Sequence, residues 1–155
     1  MLKINQALLN HLFKEASINP RKRINHNFHS SYDDPVQRML NCIEPGSYFR
    51  PHKHSNPPKR EVFIILQGKA IVIQFDDNGN ITDQIILNPK TRNYGVEIPE
   101  NTFHTLVILK PTVVYELKDG PYSPIDDKDF ANWAPATDDE HSQKYIQSLM
   151  NQLNL

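Results

Sequence analysis

The sequence predicts an all-β domain, an antiparallel sandwich or barrel of about eight strands flanked by two amphipathic helices. Three observations carry that expectation. Short apolar runs follow one another at intervals of roughly ten residues between 36 and 118. Turn residues separate them: Asp76-Asp77-Asn78-Gly79-Asn80 is rich in residues that tolerate positive φ, and Asn88-Pro89 and Lys110-Pro111 are further breaks. Apolar residues at helical spacing are found near the two ends of the chain.

Leu8, Leu9, Leu12, Phe13 and Ala16 share one face of a helix over about 3–17. Asn19-Pro20 stops it, because the residue before proline disfavours helical geometry. Tyr145, Ile146, Leu149, Met150 and Leu153 repeat the spacing near the other end. Thr137 with Glu140 reads as a capping box opening that second helix, supported by Asp138 and Asp139. Strands are expected at 36–44, 47–54, 61–67, 69–75, 81–87, 94–98, 102–109 and 112–118. The run from Val62 to Leu66 is apolar on both faces, as in a strand between two layers or under a terminal helix. From Gly120 to Pro135 the chain is irregular, and Tyr122, Phe130 and Trp133 should pack that loop onto the body. One compact domain is expected: a helix at 1–19, a barrel with its C-terminal loop at 20–136, and a helix at 137–155.

Composition removes several function classes. Lys plus Arg number 17 against 18 Asp plus Glu, a net charge of -1. A general nucleic-acid binder would carry a basic excess. The longest apolar run, Val62 to Leu66, is far short of the roughly 20 residues that cross a bilayer, so no membrane association is expected. The first residues lack the features of a secretory signal. Cys42, the single cysteine, can form no internal disulfide and excludes four-cysteine or two-cysteine, two-histidine zinc sites. It reads as a small buried residue in a reducing cytoplasm.

The chemistry centres on histidine. On a strand, His52 and His54 would point to the same face and could meet one metal ion. Glu61 follows at the head of an apolar strand, and His104 lies inside Phe103-His104-Thr105-Leu106-Val107. Three imidazoles and a carboxylate suit a divalent first-row metal. An isolated His-x-His is more often structural, so the surrounding spacing matters.

That spacing resembles a known pattern. GSYFRPHKH…E…G resembles the first cupin motif, GxxxxxHxH…E…G, and PENTFH resembles the core of the second, PxGxxH. Two departures stand out. Six residues separate His54 from Glu61, a longer gap than the motif's, with Asn56-Pro57-Pro58 inside it. Asn101 replaces the motif's glycine, and Asn also visits positive φ. RINHNFH, DPVQRMLNCIEPGSYFRPHKHSNPPKREVFIILQGK, FDDNGNI, EIPENTFHTLV and ELKDGPYSP…DKDFANWAP together resemble the WbuC family of cupin-fold metalloproteins over roughly 21–136. The resemblance implies a cupin-type jelly roll and a divalent transition metal (Zn, Fe, Ni or Mn). Its ligands would be His52, His54, Glu61 and His104. A sugar or nucleotide-sugar ligand in surface-polysaccharide metabolism is also implied, and cupins often form homodimers.

Such a metal would leave about two open octahedral positions, enough to polarise a carbonyl or hydroxyl or to activate water or dioxygen. An isomerase, epimerase, lyase or oxygenase would use it; a non-catalytic binding or regulatory module is the competing reading, and a structural ion a third. His26, His29 and Glu116 are unranked candidates for a general base. Arg38, Arg50 and Lys59 are candidates to bind a carboxylate or phosphate, against the alternative of a solvated charged face. That alternative is favoured for Lys53 and Arg60.

Overall fold

Two long strands organise the molecule, β4 (Glu61–Phe75) and β7 (Phe103–Asp119). They pair antiparallel along almost their whole lengths, and both bend midway. The structure, a computed structural model, describes residues 1–123 and 128–155. Its other elements are α1 (Gln6–Ile18), β1 (Arg23–Asn27), β2 (Val36–Ile43), β3 (His52–Lys53), β5 (Ile81–Leu87), β6 (Gly95–Ile98), β8 (Asp129–Phe130) and α2 (Ser142–Gln152).

The bend makes two layers from one sheet. The first layer runs β1-β2-β7-β4-β6 and uses 112–119 of β7 and 61–65 of β4. The second runs β8-β3-β7-β4-β5 and uses 103–110 and 70–75. This is a jelly-roll arrangement, but the sheet does not close into a barrel. Two pairs of expected strands, 61–67 with 69–75 and 102–109 with 112–118, are therefore each one bent strand. Pro111 lacks an N–H, so the bend in β7 costs no ladder bond there. Thr112 Oγ1 takes the Lys69 N–H at 3.1 Å and donates to the Lys110 carbonyl at 2.6 Å.

The 47–54 run gives only the two-residue β3. Upstream of it, main-chain carbonyls are met by side chains or by the downstream loop rather than by a ladder. Tyr48 O accepts from Arg23, Phe49 O from Thr105, and Pro51 O from the Ala131 N–H. Strands β1 and β8 were not expected. They are short polar edge strands, RINHN and DF, with little apolar alternation to reveal them.

Three apolar clusters use the two-residue period of the strands. Ile43, Phe63, Ile65, Val72, Leu106 and Ile108 are among those that meet between the layers. Leu40, Cys42 and Val113 face outward from the first layer and are covered by Leu9, Leu12 and Ala16 of α1. Ile71, Ile73, Phe103 and Val107 face outward from the second and are covered by Leu149, with Ile146 and Met150, of α2. Two-sided burial thus falls at 70–75, whereas Val62 and Ile64 are half-buried and Leu66 is exposed.

The helix ends differ from the expected ones for local reasons. Asn5 caps α1 by accepting the Leu8 N–H, so the helix starts at Gln6. The Thr137–Glu140 capping box does not form. Asp139 instead accepts the His141 N–H at 2.7 Å in a local turn, and α2 begins at Ser142. In the 120–135 loop, Trp133 packs on Phe75 and Phe103, and Phe130 stacks near His52. Residues 124–127 of that loop lie outside the described residues.

The closeness of the two bends rests on Gly68, at φ +98°, where a Cβ would stand 2.2 Å from the Pro111 carbonyl oxygen. At Gly46, φ +82°, the nearest atom would be the movable Lys22 Nζ at 3.1 Å. Urea unfolding should show Gly46→Ala losing about 1–2 kcal/mol from the left-handed backbone alone. Gly68→Ala should lose clearly more, because rigid backbone must also move.

Candidate metal centre and adjoining cavity

The two-residue period that builds the core also aims the polar groups. On the inner face of the first layer, Glu61 of β4 lies opposite Lys118 of β7, and Phe63 opposite Glu116. On the inner face of the second, His52 of β3 lies directly opposite His104 of β7. The layers face each other, so the carboxylate from one meets imidazoles from the other.

His52, His54, Glu61 and His104 are all buried, and each offers one ligand atom within 4.8 Å of the others. Two ligands on opposite sides of a zinc-like ion stand about 4 to 4.4 Å apart, so the spread is close to what one ion requires. Glu61 Oε1 is 2.9 Å from His54 Nε2 and Oε2 is 3.0 Å from His104 Nε2. Lys118 Nζ stands 3.6 Å from Oε1.

The long gap after His54 is absorbed locally. Ser55 and Pro58 form a bridge across a turn, and the His54 carbonyl accepts the Asn101 N–H at 3.3 Å. Glu61 is thereby returned to the inner face. Asn101 adopts φ +58°, the conformation for which the motif uses glycine.

The ring tautomers favour a cation at the centre. His52 Nδ1 lies 2.9 Å from the Arg50 carbonyl and His104 Nδ1 2.9 Å from the Thr102 carbonyl. A carbonyl only accepts, so both Nδ1 atoms carry hydrogen and a neutral ring has a bare Nε2. A bare Nε2 of His104 at 3.0 Å from a carboxylate oxygen would set lone pair against lone pair. A proton or a metal ion between them removes that repulsion. Burial, then the charge of Lys128, holds His52 well below the usual imidazole range and therefore neutral. Burial opposes the Glu61 charge, but the His104 and His54 rings against its two oxygens outweigh that and hold the carboxyl well below its usual range. A neutral His52 and an ionised Glu61 are in the forms that bind a divalent ion.

Beside this group lies a polar cavity of about 380 Å³. The four residues do not line it; Lys118, in contact with Glu61, is the shared wall. Arg21, Arg23, Lys118 and Lys128 bring positive charge, and Glu116 is the one carboxylate among the described lining residues. Asn25, Asn27, Gln37 and Asn41 add amides. Asn41 Nδ2 donates to Glu116 Oε2. Burial, reinforced by the Glu61 charge, pushes the Glu116 carboxyl up to about 7. Arg23 Nη1 donates to Ser47 Oγ at 2.9 Å and to the Tyr48 carbonyl at 2.7 Å, and its guanidinium sits over Phe49. Burial, then the Arg21 charge, lowers Arg23 to about 10.

The other sequence candidates are dispersed. His29 lines the cavity, with Nδ1 3.1 Å from the main chain of Arg38. His26 packs edge-on against Phe28. Arg38 lies one residue out of register with the inward Gln37 and pairs with Asp34 at 2.9 Å. Arg50 binds the Ala131 carbonyl and stacks on Phe130, and Lys59 is buried with its ammonium on the Pro121 carbonyl. None of His26, Arg38, Arg50 and Lys59 lines the cavity. Arg21, Arg23, Asn41, Lys118 and Lys128 are cavity residues that the sequence reading did not single out. The signal for some was present as alternation: Arg23, Asn25 and Asn27 on one face of β1, Glu116 and Lys118 on one face of β7.

Two expected outcomes follow from this geometry. Isothermal titration of the metal-free protein with Zn or Ni should show Glu61→Gln losing about tenfold or more in affinity. An unchanged affinity in Glu61→Gln, with binding lost in His104→Ala, would leave a three-histidine centre. For Glu116 the sign is the reverse of a paired carboxylate. Its raised folded pKa means that stability is lost as pH climbs from the usual carboxylate range through about 7. In metal-free protein, Glu116→Gln should therefore raise the melting temperature at pH 8 more than at pH 5.

Comparison with known proteins supports the fold. The capsular polysaccharide assembling protein CapF from Staphylococcus aureus superposes with a TM-score of 0.58 at 22% identity, covering 68% of this chain. The chain spans only 28% of that protein. A cupin superfamily protein from Desulfitobacterium hafniense DCB-2 gives 0.50 at 18% identity, over 63% of this chain and 76% of its own. L-ribose isomerase from Cellulomonas parahominis, solved with L-psicose, gives 0.56 at 13% identity, over 72% and 70%. These likenesses establish a cupin fold. No curated protein matches the sequence significantly. A family model described as a domain of unknown function (DUF6016) matches residues 4–87, more than half of the 155 residues, and the chain belongs to that family.

Proposed function

We propose that this chain is a metal-dependent cupin acting on a sugar or nucleotide-sugar in surface-polysaccharide metabolism. One observation carries the reading: a buried group of three histidines and a glutamate stands against a polar cavity across a single shared lysine, Lys118. The WbuC-like motifs and the fold shared with a capsule-assembly protein and a sugar isomerase support the choice of ligand. His52, His54, Glu61 and His104 would hold a divalent transition ion, which supplies Lewis-acid polarisation of a substrate carbonyl or hydroxyl.

The chain's own residues do the rest. Carbonyls of Arg50 and Thr102 orient the His52 and His104 rings. Asn41 holds Glu116 by Oε2, so Oε1 is the atom to carry or receive a proton. A carboxyl brought to about 7 is matched to general acid–base work near neutrality. A second reading, binding without turnover, is favoured by the 1% and 3% exposure of His104 and Glu61, which leaves little open surface at the group.

Mass spectrometry of the metal-loaded protein incubated with a panel of sugars and nucleotide-sugars separates the two. The enzyme reading expects metal-dependent conversion, reduced about a hundredfold or more in Glu116→Gln. Saturable binding with no conversion of any panel member would favour the second reading.

A further inference from the structure

We infer that the cavity recognises an anionic group on its sugar ligand, a carboxylate or a phosphate, through the side fork of Arg23 with Arg21 beside it. This rests on the small-molecule reading above and narrows it from sugars in general to acidic ones.

Arg23 is set up as a receptor rather than as a brace. Both hydrogens of Nη1 are used, on Ser47 Oγ and the Tyr48 carbonyl. Stacking over Phe49 at 4.3 Å holds the plane. The Nε and Nη2 edge remains, and among the described residues nothing accepts from it. That edge is the planar two-donor fork that matches a carboxylate or a phosphate. Holding the plane in advance lowers the entropy lost when an anion docks.

The charge balance agrees. Among the described residues no carboxylate pairs with Arg23 or Arg21, whereas Arg38 and Arg60 on the outer surface each have an aspartate. A partly buried guanidinium without a counter-charge is costly, and an anionic ligand relieves that cost. The cavity's single described carboxylate, Glu116, is held at Oε2 by Asn41 Nδ2 and faces four cationic lining residues, Arg21, Arg23, Lys118 and Lys128. The amides of Asn25, Asn27 and Asn41 line the same space and can donate to or accept from sugar hydroxyls.

The test is titration of metal-loaded protein with glucuronate, glucose 6-phosphate and glucose, repeated after removing the metal with a chelator. At least one anionic sugar should bind about tenfold or more tighter than glucose, and added NaCl should weaken it. Which of the two binds identifies carboxylate or phosphate as the group. Arg23→Gln should abolish that preference while bound metal per chain is unchanged. If Arg23→Gln fails to fold, the exposed Arg21→Gln should still cut the preference severalfold. Equal affinity for all three sugars, no binding at millimolar concentration, or full preference in both variants would overturn the inference. Each of those results leaves metal binding intact. Anion preference in protein that takes up no metal would instead sink the metal-dependent function and keep the anion subsite.

Discussion

A carboxylate held between two β-layers sets the terms for this structure. Glu61 is 3% exposed, and an ion in that position is costly unless its charge is met. The chain meets it three ways, with His54 and His104 from one side and Lys118 from its own layer. Each of those partners must be delivered by a different segment. The bend of β7 does much of the delivery, since His104 lies before it and Lys118 after it. A straight β7 would put those two side chains far apart in the same layer. The glycine and proline at the bends are thus connected to the chemistry through geometry alone.

The same carboxylate links centre and cavity. Its charge adds to burial in raising Glu116, and Lys118, 3.6 Å from its Oε1, also lines the cavity. A cation bound by Glu61 would change both effects at once, because it would cancel the field that acts on Glu116 and compete with Lys118 for Oε1.

The helices contribute by cover rather than by chemistry. Leu12 and Ala16 of α1 close the outer face of the first layer, and Leu149 of α2 closes that of the second. With the outer apolar faces covered, Gln37 and Asn41 of β2 and Glu116 and Lys118 of β7 are left to line the cavity on the other face. Asn41 and Glu116 are tolerated there because they bond to each other and the cavity admits further polar partners.

Much was already legible in the chain. Alternation and turn residues specified an antiparallel all-β domain, because a side-chain period of two is local to each strand. The helical faces were equally local, and so was the pairing of His52 with His54 two residues on. The motif-like spacing also named Glu61 and His104 as partners. What only the tertiary structure decided was continuity and facing. Pro111 and Gly68 read as breaks, yet pairing with a neighbouring strand carries β7 and β4 through them, an energy that no local window contains. Register decided that Gln37 rather than Arg38 faces inward, since a shift of one residue exchanges the two faces. Arg23 became a cavity residue for the same reason: its strand is short and polar, and its place comes from pairing with β2, twenty residues away in sequence at Ile43.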